Sequence, residues 1–157
     1  MMTPEEKLCS LGFELPPPPV PAGNYVPARI TGNFLYLSGQ GARQKDGSFI
    51  TGRLGDGFSS EEGYQASRNA ALQLLAAARQ AVGELSRINA VIRIYGMTNA
   101  TPDYTDHASV INGCSDLFAD VFGDAGCAVR SVAGMSSLPF GMPVQIEAMF
   151  LLNACTR

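Results

Sequence analysis

The chain has 157 residues, with 11 Lys and Arg against 14 Asp and Glu and a formal net charge of −3. No overall field draws such a chain to nucleic acid or to an anionic membrane, and its length fits a single domain over 1–157 whose core needs neither disulfide nor metal. Cys9, Cys114, Cys127 and Cys155 stand apart without a CxxC pair, and His107 is the only histidine, which argues against a zinc site or another metal cofactor.

The thiols therefore read as free cysteines, some of them in the core. Near the N-terminus Glu5 and Glu6 occupy the place of a basic leader region, and no apolar run is long enough to span a bilayer. The expectation is a cytoplasmic protein with no membrane partner.

Thr3-Pro4-Glu5-Glu6 predicts a short helix within 3–13: Thr3 suits the cap, Pro4 the first helical position, and the acids the positive helix end. Pro16 to Pro19 and Pro21 hold the chain extended. Residues 1–21 thus read as a helix and a stiff tether, the alternative being a ligand for a proline-binding module. Residues 26–31 and 34–38 are predicted strands joined by a two-residue turn at Gly32-Asn33. Residues 41–57, rich in glycine and polar residues, predict a loop or irregular hairpin.

Ser59 and Glu62 form a capping box for the clearest helix. Tyr64, Ala71, Leu74, Leu75, Ala78 and Val82 recur on one helical face, and Gly83 is a natural stop. Residues 88–97 are rich in β-branched residues and predict a buried strand. Thr101-Pro102 predicts the start of a second long helix by the same cap logic, with an apolar face of Val110, Ile111, Cys114, Leu117, Phe118, Val121 and Phe122 and an end at Gly123. Strands are predicted at 127–133 and 144–152. The order ββαβαββ suggests an α+β fold with both long helices on one face of a sheet. Both faces of 144–152 are apolar, so the other sheet face is expected to be covered by further subunits.

The chain has no GxGxxG, GxxxxGK[ST] or GxSxG motif. His107 has no neighbouring nucleophile and reads as a partly exposed helix residue. Arg130 is the conspicuous residue, a cation in the apolar stretch CAVRSVAG. A half-buried arginine needs partners. Two readings stay open from the residues alone: a salt bridge to Glu147 on the following strand, or an anchor for a ligand carboxylate, which the guanidinium fork fits.

The stretch RSVAGMSSLPFGMPVQIEAMF, Arg130 to Phe150, resembles the signature of the YjgF or Rid family of reactive-intermediate deaminases, also called L-PSP endoribonucleases or translation inhibitors. GNYVPARITGNFLYLSGQG, Gly23 to Gly41, is similar to the family's first hairpin. EEGYQASRNAALQLLAA and VINGCSDLF are similar to its two helices. The opening LPPPPVPAGNYVPA looks like one subgroup.

The resemblance implies a bacillary chorismate-mutase-like fold, a homotrimer, and clefts between subunits that hydrolyse enamines and imines to a 2-oxo acid and ammonia without cofactor or metal. It implies that Arg130 binds the substrate carboxylate, that Tyr25 closes the pocket from a neighbouring subunit, and that Ser38, Gly39 and Asn112 line it. From the residues alone Tyr25 reads as a core aromatic, Ser38 as a strand-end turn former and Asn112 as a tie within the helix packing. The chain departs from the pattern twice. Gln145 stands where active members usually have a glutamate that places or activates water; an amide holds water but does not take its proton at neutral pH. Val132 stands where many members have a cysteine. Glu147 shares the face of Gln145 two residues along. A non-catalytic binder of carboxylate metabolites is therefore the alternative reading, while the charge balance and single histidine argue against RNA cleavage.

Overall fold

In a computed structural model describing residues 1–154, the chain runs α1 (Pro4–Ser10), β1 (Ala28–Thr31), β2 (Phe34–Gln40), β3 (Arg53–Leu54), β4 (Gly57–Phe58), α2 (Ser60–Val82), β5 (Ile88–Asn99), α3 (His107–Phe122), β6 (Val129–Met135) and β7 (Val144–Leu152). The fold is α+β, as expected. Two helix starts follow from local chemistry. Thr3 with Glu6, and Ser59 with Glu62, form reciprocal capping boxes, each satisfying two backbone donors that a helix end leaves open. Gly83 ends α2 at φ 89, a conformation that costs glycine nothing. Cys155 lies outside the described residues.

The main sheet has the order β1-β2-β7-β5-β6, antiparallel except for the parallel pair β5–β6. A parallel pair needs a crossover, and α3 supplies it. Thr31 pairs with Phe34 across Gly32-Asn33. Only Gly32 of the turn has positive φ, as a type II′ hairpin requires. Along β7, Val144, Ile146, Ala148, Phe150 and Leu152 are buried, while the alternate residues are half-buried. The buried set meets α2 and α3 in one core with Leu35, Leu37, Leu74, Ile94, Ile111, Leu117 and Phe118. Both long helices thus lie on one face. The opposite face carries exposed Phe34 and Tyr36. Between β2 and α2, Arg43 and Phe49 form an isolated antiparallel bridge, and the short strands β3 and β4 make a separate pair.

One predicted helix start is corrected. Thr101-Pro102 does not open α3, which begins at His107 with Asp106 at the cap position. The reason is that the backbone donors there are already bonded to remote segments: Ala100 N–H to the Met135 carbonyl and Thr101 N–H to that of Leu54. The extended chain is held past the end of β5, and 101–104 make a turn in which Tyr104 N–H bonds to the Thr101 carbonyl. β6 is also displaced, running to Met135 rather than ending at 133. Tyr64 and Phe122, placed on the apolar faces, are only half-buried.

The two long helices meet at Gly113, where a Cβ would fall 2.0 Å from the Tyr64 carbonyl oxygen. Helix propensity alone favours alanine there by about 1 kcal/mol. Overpacking against backbone costs about 1–3 kcal/mol or more. Gly113→Ala is therefore expected to destabilise the protein by roughly 2 kcal/mol, measured as a lower denaturation midpoint in urea at unchanged slope.

Candidate functional site

β2 and β7, which carry Ser38, Gly39 and Gln145, are out of register where they meet. Leu37 pairs with Ala148, but Gln40 pairs with Ile146. Ser38 and Gly39 therefore stand opposite the single residue Glu147, a bulge of the kind that re-aims side chains next to active sites. Ser38 is not a turn former: it lies inside β2, donates its hydroxyl to the Val26 carbonyl at 2.6 Å and receives no turn. Gly39 has no side chain for a reason. A Cβ there would come within 2.8 Å of Gln145 Nε2, so the carboxamide lies directly over the glycine backbone.

These residues line a cleft of 460 Å³ on the helix-free side of the sheet, together with Tyr25 and Glu147. Tyr25 is not a core aromatic. It is 47% exposed, standing at the end of the proline-rich tether, and its hydroxyl accepts the Ala22 N–H at 3.3 Å. Its ring also borders a second groove containing Ser38, Arg93, Tyr95 and Glu147. Among the described residues neither Gln145 nor Glu147 has a side-chain hydrogen bond or ion pair. An open carboxamide offers both donor and acceptor to a water, and an open carboxylate offers acceptors alone.

Arg130 is elsewhere. Its reading as a salt bridge to Glu147 is overturned by topology: β5 lies between β6 and β7. Arg130 pairs with Ile94 and so shares the helix-covered face, whereas Glu147 pairs with Tyr95 on the other. Half-buried on the edge strand, Arg130 leans on α3, with Nη1 donating to Ser115 Oγ at 2.9 Å and Nη2 to the Ala108 carbonyl at 3.3 Å. Asn112 is four residues after Ala108 and three before Ser115, so it occupies the same helix flank. It makes no side-chain tie within the packing among the described residues. The sequence brings together Tyr25, Ser38, Gly39 and Gln145 in one place and Arg130 and Asn112 in another.

Ser115 and Ala108 were not legible as supports for Arg130; their signal is the i, i+7 spacing around Asn112. The cleft wall formed by Phe49 and Phe140 was also missed, and no residue pattern marks it. His107 is tied through Nδ1 to the buried Thr98 hydroxyl at 2.7 Å, and its ring packs against Gly134, as a partly exposed helix residue rather than a base. Among the described residues no group of three or more His, Cys, Asp or Glu is placed to hold a metal ion, and no helix is long and apolar enough to cross a membrane.

A family profile described as YjgF/chorismate mutase-like, putative endoribonuclease, matches residues 5–151. Protein TCP17 of Trypanosoma cruzi is 38% identical over 144 residues, covering 91% of this chain and 90% of its own. The structure of Atu1372 from Agrobacterium tumefaciens superposes with a TM-score of 0.88 at 37% identity, covering 96% of this chain and 94% of its own. A Shewanella oneidensis structure described as a putative endoribonuclease gives 0.92 at 35% identity, covering 96% of this chain and 100% of its own.

Beneath Arg130 lies Cys114, fully buried. Burial pushes its thiol far above the ordinary range, and the positive charge of Arg130 opposes this only in part. Thiolate is the reactive form. In the native protein, iodoacetamide is expected to modify the exposed Cys9 and Cys127 while Cys114 stays unmodified until denaturant is added, as read by peptide mass mapping.

Proposed function

We propose, from the premise that the chain belongs to the YjgF/chorismate mutase-like family, that it is a hydrolytic deaminase of small carboxylate-bearing enamines and imines. Water adds to the C=N carbon and ammonia leaves, so an imino acid and one water give a 2-oxo acid and ammonia. The observation that carries this reading is the separation of the candidate residues within one chain. A cleft with the open carboxamide of Gln145 and with Tyr25 lies on the helix-free face, and the Arg130 guanidinium lies on the edge strand β6 against α3. Neither is a complete site. A homotrimer, with the Arg130 edge of one copy set against the cleft of the next, completes three of them.

In that arrangement Ser115 and the Ala108 carbonyl hold the guanidinium plane, and the remaining N–H groups take the substrate carboxylate. Gln145 positions the attacking water. An electrophilic imine needs positioning more than a strong base, and Glu147 lines the same cleft. The Gln145 carboxamide favours one second reading, a trimeric protein that holds carboxylate metabolites without turnover. The endoribonuclease description of the family is not extended to this chain, whose net charge is −3 and whose one histidine is packed.

The protein is expected to accelerate the loss of 2-aminoacrylate, followed by absorbance together with 2-oxo acid release, and Arg130→Ala is expected to abolish the acceleration. An undiminished rate in that variant would end the deaminase reading. Gln145→Glu is expected to raise the rate by on the order of a hundredfold. A rise from no detectable turnover would favour the binder reading for the natural chain.

The two-copy site makes a separate demand. Arg130→Ala and Tyr25→Ala variants, each inactive alone, are mixed through a cycle of unfolding and refolding. Random assembly leaves roughly a quarter of the clefts with both residues intact, so activity should return to about that fraction. A site confined to one chain gives no recovery.

A further inference from the structure

One wall of the cleft is built on a strained residue whose side chain the core does not hold. Phe140 is the only non-glycine residue with positive φ among the described residues, at φ 58 and ψ 16. A bulky residue in that region is strained and persists only where its surroundings impose it. The imposing bonds are present: Gly141 N–H to the Leu138 carbonyl, Met142 N–H to that of Pro139, and Gly52 N–H to the Gly141 carbonyl at 3.0 Å. The side chain recovers little through burial, since it is 61% exposed. Glycine or asparagine would fit the backbone better.

What the ring does is stack. It lies 4.8 Å from the Phe49 ring at an interplanar angle of 13°. The Arg43 guanidinium covers Phe49 at 4.1 Å from its centroid, and Arg43 is itself fixed, its backbone N–H and carbonyl both bonded to the Asn69 side chain. The three groups form a layered stack anchored to α2, with Phe140 outermost and bordering the cleft that holds Tyr25 and Gln145. A flat apolar face, rigidly backed and left open beside a polar pocket, is a platform for another flat group.

We propose that Phe140 is the specificity-determining residue of the cleft and that it selects substrates with an aromatic or similarly flat apolar side chain over the smallest imino acids. The proposal rests on the deaminase-cleft reading above, for the carboxylate end of such a substrate is taken to lie on Arg130 of the adjoining copy. The ring is a binding surface and takes no part in bond making.

The test uses two 2-oxo acids as product probes, pyruvate and phenylpyruvate, titrated calorimetrically into the full-length protein. Phenylpyruvate is expected to bind on the order of tenfold more tightly than pyruvate. Phe140→Asn keeps the left-handed backbone and removes the ring; it should erase the preference while changing pyruvate affinity less than about twofold. Phe140→Tyr should keep it. Equal affinities in the natural protein, or a preference that survives in Phe140→Asn, would overturn the proposal. Those results leave the underlying reading in place as long as pyruvate binding is lost in Arg130→Ala. If neither acid binds, or if pyruvate binding ignores Arg130→Ala, the carboxylate-cleft reading falls and this proposal falls with it.

Discussion

α3 can serve the edge of the sheet only because side chains are missing on two sides of it. On the side facing α2, Gly113 lets the helix approach to the Tyr64 backbone. Beneath it, Gly96 of β5 makes room for Ile111, whose Cγ1 would lie 2.6 Å from a Cβ at that glycine. The helix is thereby seated low on the sheet, and Phe118 meets Phe150 edge to face at 5.5 Å. Interiors this tightly packed transmit small displacements rather than absorb them. A further flank of α3, that of Ala108 and Ser115, receives Arg130, and a hydrogen bond at 2.9 Å has little tolerance for an ångström of lift. The geometry of the proposed anchor is thus fixed by two glycines that never touch it.

The helices and strands were largely legible because their causes are local. Capping boxes, a stop glycine and the alternation along Val144 to Leu152 each act within a few residues. The reading failed where a local signal competed with distant backbone partners. Thr101-Pro102 has the chemistry of a helix start, yet Ala100 and Thr101 had already committed their N–H groups to β6 and β3. Candidate residues stood out one at a time in the sequence, but their grouping in space was not legible. Chain order puts Glu147 on the strand after Arg130. Sheet order puts β5 between them, because the last strand enters the middle of the sheet. The strained Phe140 was invisible for a similar reason: a phenylalanine before a glycine is unremarkable until the bonds around the turn force its φ positive.

The division of the candidate residues separates two chemical tasks physically. Carboxylate binding is assigned to an arginine on an edge strand backed by a helix. Water holding is assigned to a carboxamide on the central strand. Such tasks can diverge independently, and Gln145 fits that pattern, since it alters the cleft without touching any group that supports Arg130. An amide at Gln145 also adds no negative charge to a cleft that is proposed to receive an anion, where Glu147 is the carboxylate beside it.

The central place of β7 has a consequence for how the chain is made. During synthesis β2 leaves the ribosome with one edge bonded to β1 and the other open, and β5 likewise waits with an unfilled edge. More than a hundred residues separate β2 from the strand that joins them, which at ordinary elongation rates amounts to on the order of ten seconds. Throughout that interval β2 keeps one border unfilled, and once β6 is made the nascent protein holds two half-sheets with exposed borders, the arrangement most open to mispairing. β7 is therefore the keystone of the sheet: losing it would leave β1–β2 and β5–β6 as two fragments with no shared sheet.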